Sequence, residues 1–257
     1  MFKPFTLDEG RELIKIVRTM LKQFVKTGNK NINVKSSVLE NNRDVYGIVV
    51  TFEKILHSYF EPIKFIVRGS AGFVKNNPIN LHEALKEVVY KAAYEYPNRS
   101  PIYSAELDSI RIELMLISKS IKVNFEELEN KLILGYHIIN IKTKTINGVK
   151  TFSYLPHKQI EYASEYFEKT SNKMTTKTFI EYVVKDLIKN DIIVRIKDLN
   201  MSESLKEISK YITEVQLNET QIFYELDPRK KIVIERKLWK NKYLENNPDI
   251  LKQWNLE

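Results

Sequence analysis

Apolar positions along this chain follow two periods, one helical and one of two. Ile14, Val17, Leu21, Phe24 and Val25 fall at helical spacing. Thr6-Leu7-Asp8-Glu9 precedes them, with a hydroxyl and a carboxylate placed to satisfy each other's orphan N–H groups. Gly28 follows as a natural stop, so one helix is predicted between these signals. Leu81, Leu85, Val88, Ala92 and Tyr96 predict a second helix, opened by Asn80 with Glu83 and closed by Pro97. Ile110, Ile112, Leu114 and Leu116 alternate with Arg111, Glu113, Met115 and Ile117, the pattern of a strand. Val45 to Phe52 and Ile63 to Val67 are rich in β-branched and aromatic residues and also read as strands.

Further on, Lys131 to Tyr154 reads as two or three strands around an Asn147-Gly148 hairpin turn. Leu155-Pro156 opens a helix carrying Ile160, Ala163 and Phe167. Thr178 to Ile188 and Ser202 to Val215 read as helices, and Gln221 to Leu226 and Lys231 to Arg236 as late strands. Strands and helices mix without strict alternation. That predicts an α+β fold, a mixed or antiparallel sheet with flanking helices, rather than a doubly wound one.

A chain of 257 residues is long enough to bury a substantial core. No apolar run approaches the roughly 20 residues of a membrane span, and the N-terminus lacks a cleavable leader pattern. A cytoplasmic protein with no membrane partner is expected. Cysteine is absent, which excludes disulfides, thiolate catalysis and thiolate metal sites. His57, His82, His137 and His157 show no metal-ligand spacing, so neither metal nor cofactor is expected.

The net charge of +8 is unevenly placed. Between Arg229 and Tyr243 there are seven basic residues and one acid, Glu235. In this stretch Arg229, Lys230, Lys231, Arg236, Lys237, Lys240 and Lys242 interleave with Trp239 and Tyr243. Cations beside aromatics suit phosphate contact with base stacking. The same run also suits a solvated face, and no nucleic-acid-binding motif accompanies it.

Two of only seven glycines fall in Val67-Arg68-Gly69-Ser70-Ala71-Gly72. Between a predicted strand and a predicted helix, this segment reads as a loop. Its backbone N–H groups would face an anion or a carbonyl, with the Arg68 guanidinium beside them. The glycines equally suit a tight turn alone, and Arg68 also suits a structural pair with Glu113 or another carboxylate. The spacing matches neither a dinucleotide fingerprint nor a Walker loop. Ser70 lacks a recognisable general base, so catalysis ranks behind binding.

The ordered set of motifs resembles the AMMECR family. It comprises the capped first helix, Gly47 to Thr51, Arg68 to Gly72, Leu81 to Ala93, Tyr96 to Pro101, Glu113 to Ile117 and Leu155-Pro156. The resemblance covers roughly residues 6 to 237. The family loop reads Leu-Arg-Gly-Cys-Ile-Gly, and Arg68, Gly69 and Gly72 are kept. Ser70 stands for the family cysteine and Ala71 for its isoleucine, so no thiol role carries over. A family Asp-Pro-Arg-Phe-Pro-Pro segment appears as Tyr96 to Pro101, with Arg99 displaced by one place. The resemblance implies an α+β fold in two lobes, an intracellular location, and an association with Memo-type proteins and radical-SAM enzymes. It implies an AMMECR-like domain over 1–237 and an extension over 238–257.

Three functional readings follow. The first is a binding or regulatory protein holding a protein partner or a small anionic ligand at Arg68, Gly69, Ser70, Ala71, Gly72 and Glu113. The second is an RNA- or DNA-associated factor using residues 229–243. The third is an enzyme with the glycine segment as an anion holder.

Overall fold

The computed structural model describes residues 4–30, 32–40, 43–56, 64–145, 148–189, 201–227 and 231–235. Helix α1 (Leu7–Thr27) starts on the Thr6–Glu9 capping box and stops at Gly28, whose φ of 66° is the left-handed conformation that favours glycine. Next come α2 (Ser37–Glu40), β1 (Gly47–Leu56), β2 (Lys64–Val74) and α3 (Leu81–Tyr94). The Asn80 side chain accepts from the Glu83 N–H and caps α3. A 3-10 turn (Ser104–Ser109) leads into β3 (Ile110–Ile117) and β4 (Ile121–Val123). There follow α4 (Leu128–Lys131), β5 (His137–Thr145), β6 (Gly148–Tyr154), α5 (Pro156–Thr170), α6 (Thr176–Lys189), α7 (Met201–Ser209), β7 (Ile212–Asp227) and β8 (Ile232–Glu235). The fold is α+β, and among the described residues all the strand pairings are antiparallel.

The chain divides into two units. The first comprises residues up to Lys119 and the segment from Thr220; the second runs from Ser120 to Glu219. In the first, strands lie in the order β2-β1-β3-β7-β8. Ile48, Val50, Phe52, Ile112, Leu114 and Phe223 form the apolar floor, and α1 and α3 pack on it. The apolar face of α1, including Leu13, Val17, Leu21 and Phe24, is fully buried there. In the second, the order is β6-β5-β7-β4. Ile139, Ile141, Val215 and Leu217 pack with Ile160 of α5 and with Phe179, Val183 and Leu187 of α6.

Two expectations need correcting. The helix predicted over Ser202 to Val215 ends at Ser209, and strand β7 begins at Ile212. Pairing of residues 212–219 with β5 outweighs a helical tendency there, because Val215 and Leu217 gain a buried core by alternation. The alternation of β3 is also incomplete, since Glu113, Met115 and Ile117 are buried along with the expected face. Asn147 lies outside the described residues.

Candidate functional site

Val67 to Gly72 is not a loop. It is the middle of β2, registered against β1 from Gly47↔Val74 to Leu56↔Lys64. Along the side facing β1 its backbone is committed to a ladder, not formed into a turn that cradles an anion. Neither Gly69 nor Gly72 has a φ in the left-handed region. Glycine is required at 69 for space: a Cβ there would stand 1.9 Å from the Ala92 carbonyl oxygen of α3. The motif therefore lets helix and strand backbones touch.

The register skips one residue at Arg68, because Phe52 opposes Gly69 while Glu53 opposes Val67. Such a bulge re-aims a side chain. Here it accompanies an Arg68 guanidinium that is 6% exposed and almost fully engaged. Nε donates to Glu106 Oε1 at 3.0 Å and Nη2 to Glu106 Oε2 at 2.9 Å. Nη1 donates to the Ser100 carbonyl at 2.7 Å and Nη2 to the Pro101 carbonyl at 2.9 Å. Lys54 Nζ adds a third bond to Glu106, at 2.9 Å. Burial alone would raise the Glu106 carboxyl; the bonds from Arg68 and Lys54 outweigh it and draw it from 4.5 to about 2. Arg68 is thus closed by a two-pronged carboxylate, and it ties Ser100 to Glu106 onto β2.

That carboxylate is Glu106, not Glu113. Glu113 lies on β3 opposite Thr51 and Tyr224, in a row that continues to Ser70 on β2. The Ser70 and Thr51 hydroxyls are hydrogen-bonded at 2.9 Å. From that row the Tyr224 hydroxyl reaches the neighbouring pair: it donates its proton to Glu53 at 2.7 Å and accepts from Arg111 at 3.3 Å. Burial first, and Glu53 second, push the Tyr224 hydroxyl up to about 12. Ser70 and Glu113 are therefore brought into one polar row, while Arg68 serves a different contact. Glu106 escaped the sequence reading. Its one local signal is an acid at the third position of the turn begun after Tyr103, whose N–H it accepts at 3.4 Å.

Ser70, Ala71, Gly72 and Phe73 line a groove of about 380 Å³ with Lys75, Glu87 and Lys91. The hydroxyl bonded to Ser70 is no general base. His82 lies against Glu83 at 3.4 Å, and the buried His137 accepts from the Ile133 N–H. His57 is outside the described residues.

A larger cavity, of about 540 Å³, opens along α1 in the first unit. Its wall holds a second buried arginine–glutamate pair, Arg18 with Glu225. Arg18 also donates to the carbonyls of Leu107 (2.8 Å) and Ile110 (2.7 Å), yet its buried Nε has no partner among the described residues. No sequence motif marks this site.

Of the basic stretch, Lys231 alone is described, on that cavity's rim. Arg229, Lys230, Arg236, Lys237, Trp239, Lys240, Lys242 and Tyr243 lie outside the described residues. No helix among the described residues is long and apolar enough to cross a membrane.

The AMMECR1 family model matches residues 14–192. A protein of Caldivirga maquilingensis is 29% identical over 170 residues, which cover 63% of this chain and 71% of that protein. A protein of Methanothermobacter thermautotrophicus is 30% identical over 118 residues, 46% of this chain and 55% of the relative. The crystal structure of uncharacterised protein PH0010 from Pyrococcus horikoshii superposes with a TM-score of 0.61 at 20% identity. That superposition covers 90% of this chain and 98% of the other, a likeness of fold.

Proposed function

The chain belongs to the AMMECR1 family, and from that premise we propose that it is a binding protein whose partner adds an extended segment along the outer edge of β2. The carrying observation is the character of that edge. β2 is eleven residues long and, among the described residues, pairs with β1 on one side only. An open edge presents unpaired N–H and C=O groups and is ordinarily guarded by charge or proline. Between Lys64 and Lys75 the only charge is Arg68, and it is buried in its pair with Glu106. Val67 and Val74, 40% and 43% exposed, share the sheet face of Ser70 and Gly72. The groove lined by Ser70 to Phe73 runs beside that edge. An extended peptide gains main-chain bonds at such an edge and side-chain contacts in the adjoining groove.

Selection from a phage-displayed library of unstructured 12-residue peptides tests this on the full chain. Enriched peptides are expected to alternate apolar and polar residues, and to lose at least tenfold in affinity when backbone N-methyl groups occupy alternate positions. Ala71→Pro, checked for folding by circular dichroism, should weaken them comparably. Peptides that bind equally well after N-methylation, or a selection that enriches none, would remove the reading.

A further inference from the structure

We infer that the cavity along α1 is a binding site for a small monocarboxylate with an apolar body, a site independent of the β2 edge. Six of the described ionisable residues lining the cavity pair among themselves. Arg11 holds Asp8 at 2.6 Å, Lys15 holds Glu12 at 3.5 Å, and Arg18 holds Glu225. Three remain, Lys22, Lys231 and Asp108; among the described residues none forms an ion pair, and Lys22 acts on Glu225 without pairing with it. Among the described residues these are two cations and one acid, which favours an anion over a cation there.

Shape and polarity agree. About 540 Å³ lies within the range of roughly 300–1,000 Å³ typical of small-molecule sites. Ile14, Leu107 and Val233 give the cavity apolar walls, and Ile14 and Val233 are themselves buried. Lys22 and Lys231 are exposed, one from α1 and one from the turn before β8. The carboxylate therefore lies toward the lysines and the apolar body over Ile14, Leu107 and Val233. Lysine ammonium groups attract a carboxylate as point charges and impose no planar geometry. The site thus selects for charge and apolar contact rather than for one scaffold.

Isothermal titration of the full chain with decanoate, decylammonium and decanol, each at neutral pH, is the test. Decanoate should bind saturably with one-to-one stoichiometry and a sub-millimolar Kd. Decylammonium should bind at least tenfold more weakly, and decanol in between. The Lys22→Glu/Lys231→Glu double variant changes exposed residues, so its folding is expected to survive. It should weaken decanoate at least tenfold and narrow the gap to decylammonium. Ala71→Pro, at the β2 edge, should leave decanoate binding unchanged. Absence of saturable decanoate binding, equal affinity for decylammonium, or unchanged affinity in the double variant would each overturn the inference.

Discussion

Two arginine–glutamate pairs in the first unit, Arg68–Glu106 and Arg18–Glu225, each hold a buried carboxylate, and they sit in opposite electrostatic states. Glu106 receives two bonds from Arg68 and one from Lys54, and its carboxyl is held down at about 2. Glu225 is buried comparably, but burial outweighs the help from Arg18 and its carboxyl is raised. Arg68 has carbonyl and carboxylate acceptors for all three nitrogens, whereas Arg18 Nε has none among the described residues. The motif arginine is thus a closed structural clamp. The pair outside the motif borders open space. A recognisable motif does not by itself mark the place where a ligand enters.

The comparison is most severely tested by removing each arginine. Arg68→Met leaves Glu106, 5% exposed, with Lys54 as its remaining cation and should cost about 3–5 kcal/mol in urea unfolding. Arg18→Met should cost distinctly less, because the Glu225 carboxyl is already shifted toward its neutral form. Equal losses would erase the distinction.

The pH dependence should separate the pairs next. The Glu106 carboxyl is lowered on folding, so its contribution is present above about pH 5 and lost as pH falls toward 2. Its size is about 3 kcal/mol. Glu106→Gln should flatten stability in that window. The raised carboxyl of Glu225 acts with the other sign: its contribution is present at low pH and lost as pH rises through the folded value. Glu225→Gln should therefore leave the acid limb intact and improve relative stability toward neutrality. The same slope in both variants would contradict the assignment.

Gly69→Ala should destabilise by about 1–3 kcal/mol through overpacking against Ala92, with no change in the acid limb. At the small end, Lys22→Glu/Lys231→Glu should shift stability by no more than about 0.5 kcal/mol per site, since both side chains are exposed. A larger loss would mean that the cavity rim holds the fold together.

How much the sequence discloses follows from where each signal resides. Local chemistry was legible: Thr6 with Glu9, Gly28, and Asn80 with Glu83 act within a turn of their own position. The strands β1 and β3 were legible from their β-branched and alternating runs. The motif segment misled because glycines suggest a turn, whereas Gly69 is needed for a helix 23 positions later to approach. Glu106 and Arg18 were invisible for the same reason. Glu106 meets Arg68 across 38 positions and Glu225 meets Arg18 across 207, and nothing local announces either meeting. The Ser202 to Val215 reading failed where a partner strand, β5, decided between helix and sheet.

The central claim is that Arg68 is a clamp on Glu106 rather than an open anion holder positioned by Glu113. A pair of double-mutant cycles tests it directly, with urea unfolding as the readout. Arg68→Met combined with Glu106→Gln should show a coupling of about 1–3 kcal/mol, and Arg68→Met combined with Glu113→Gln should be additive within about 0.5 kcal/mol. Strong coupling to Glu113 with additivity at Glu106 would contradict the account.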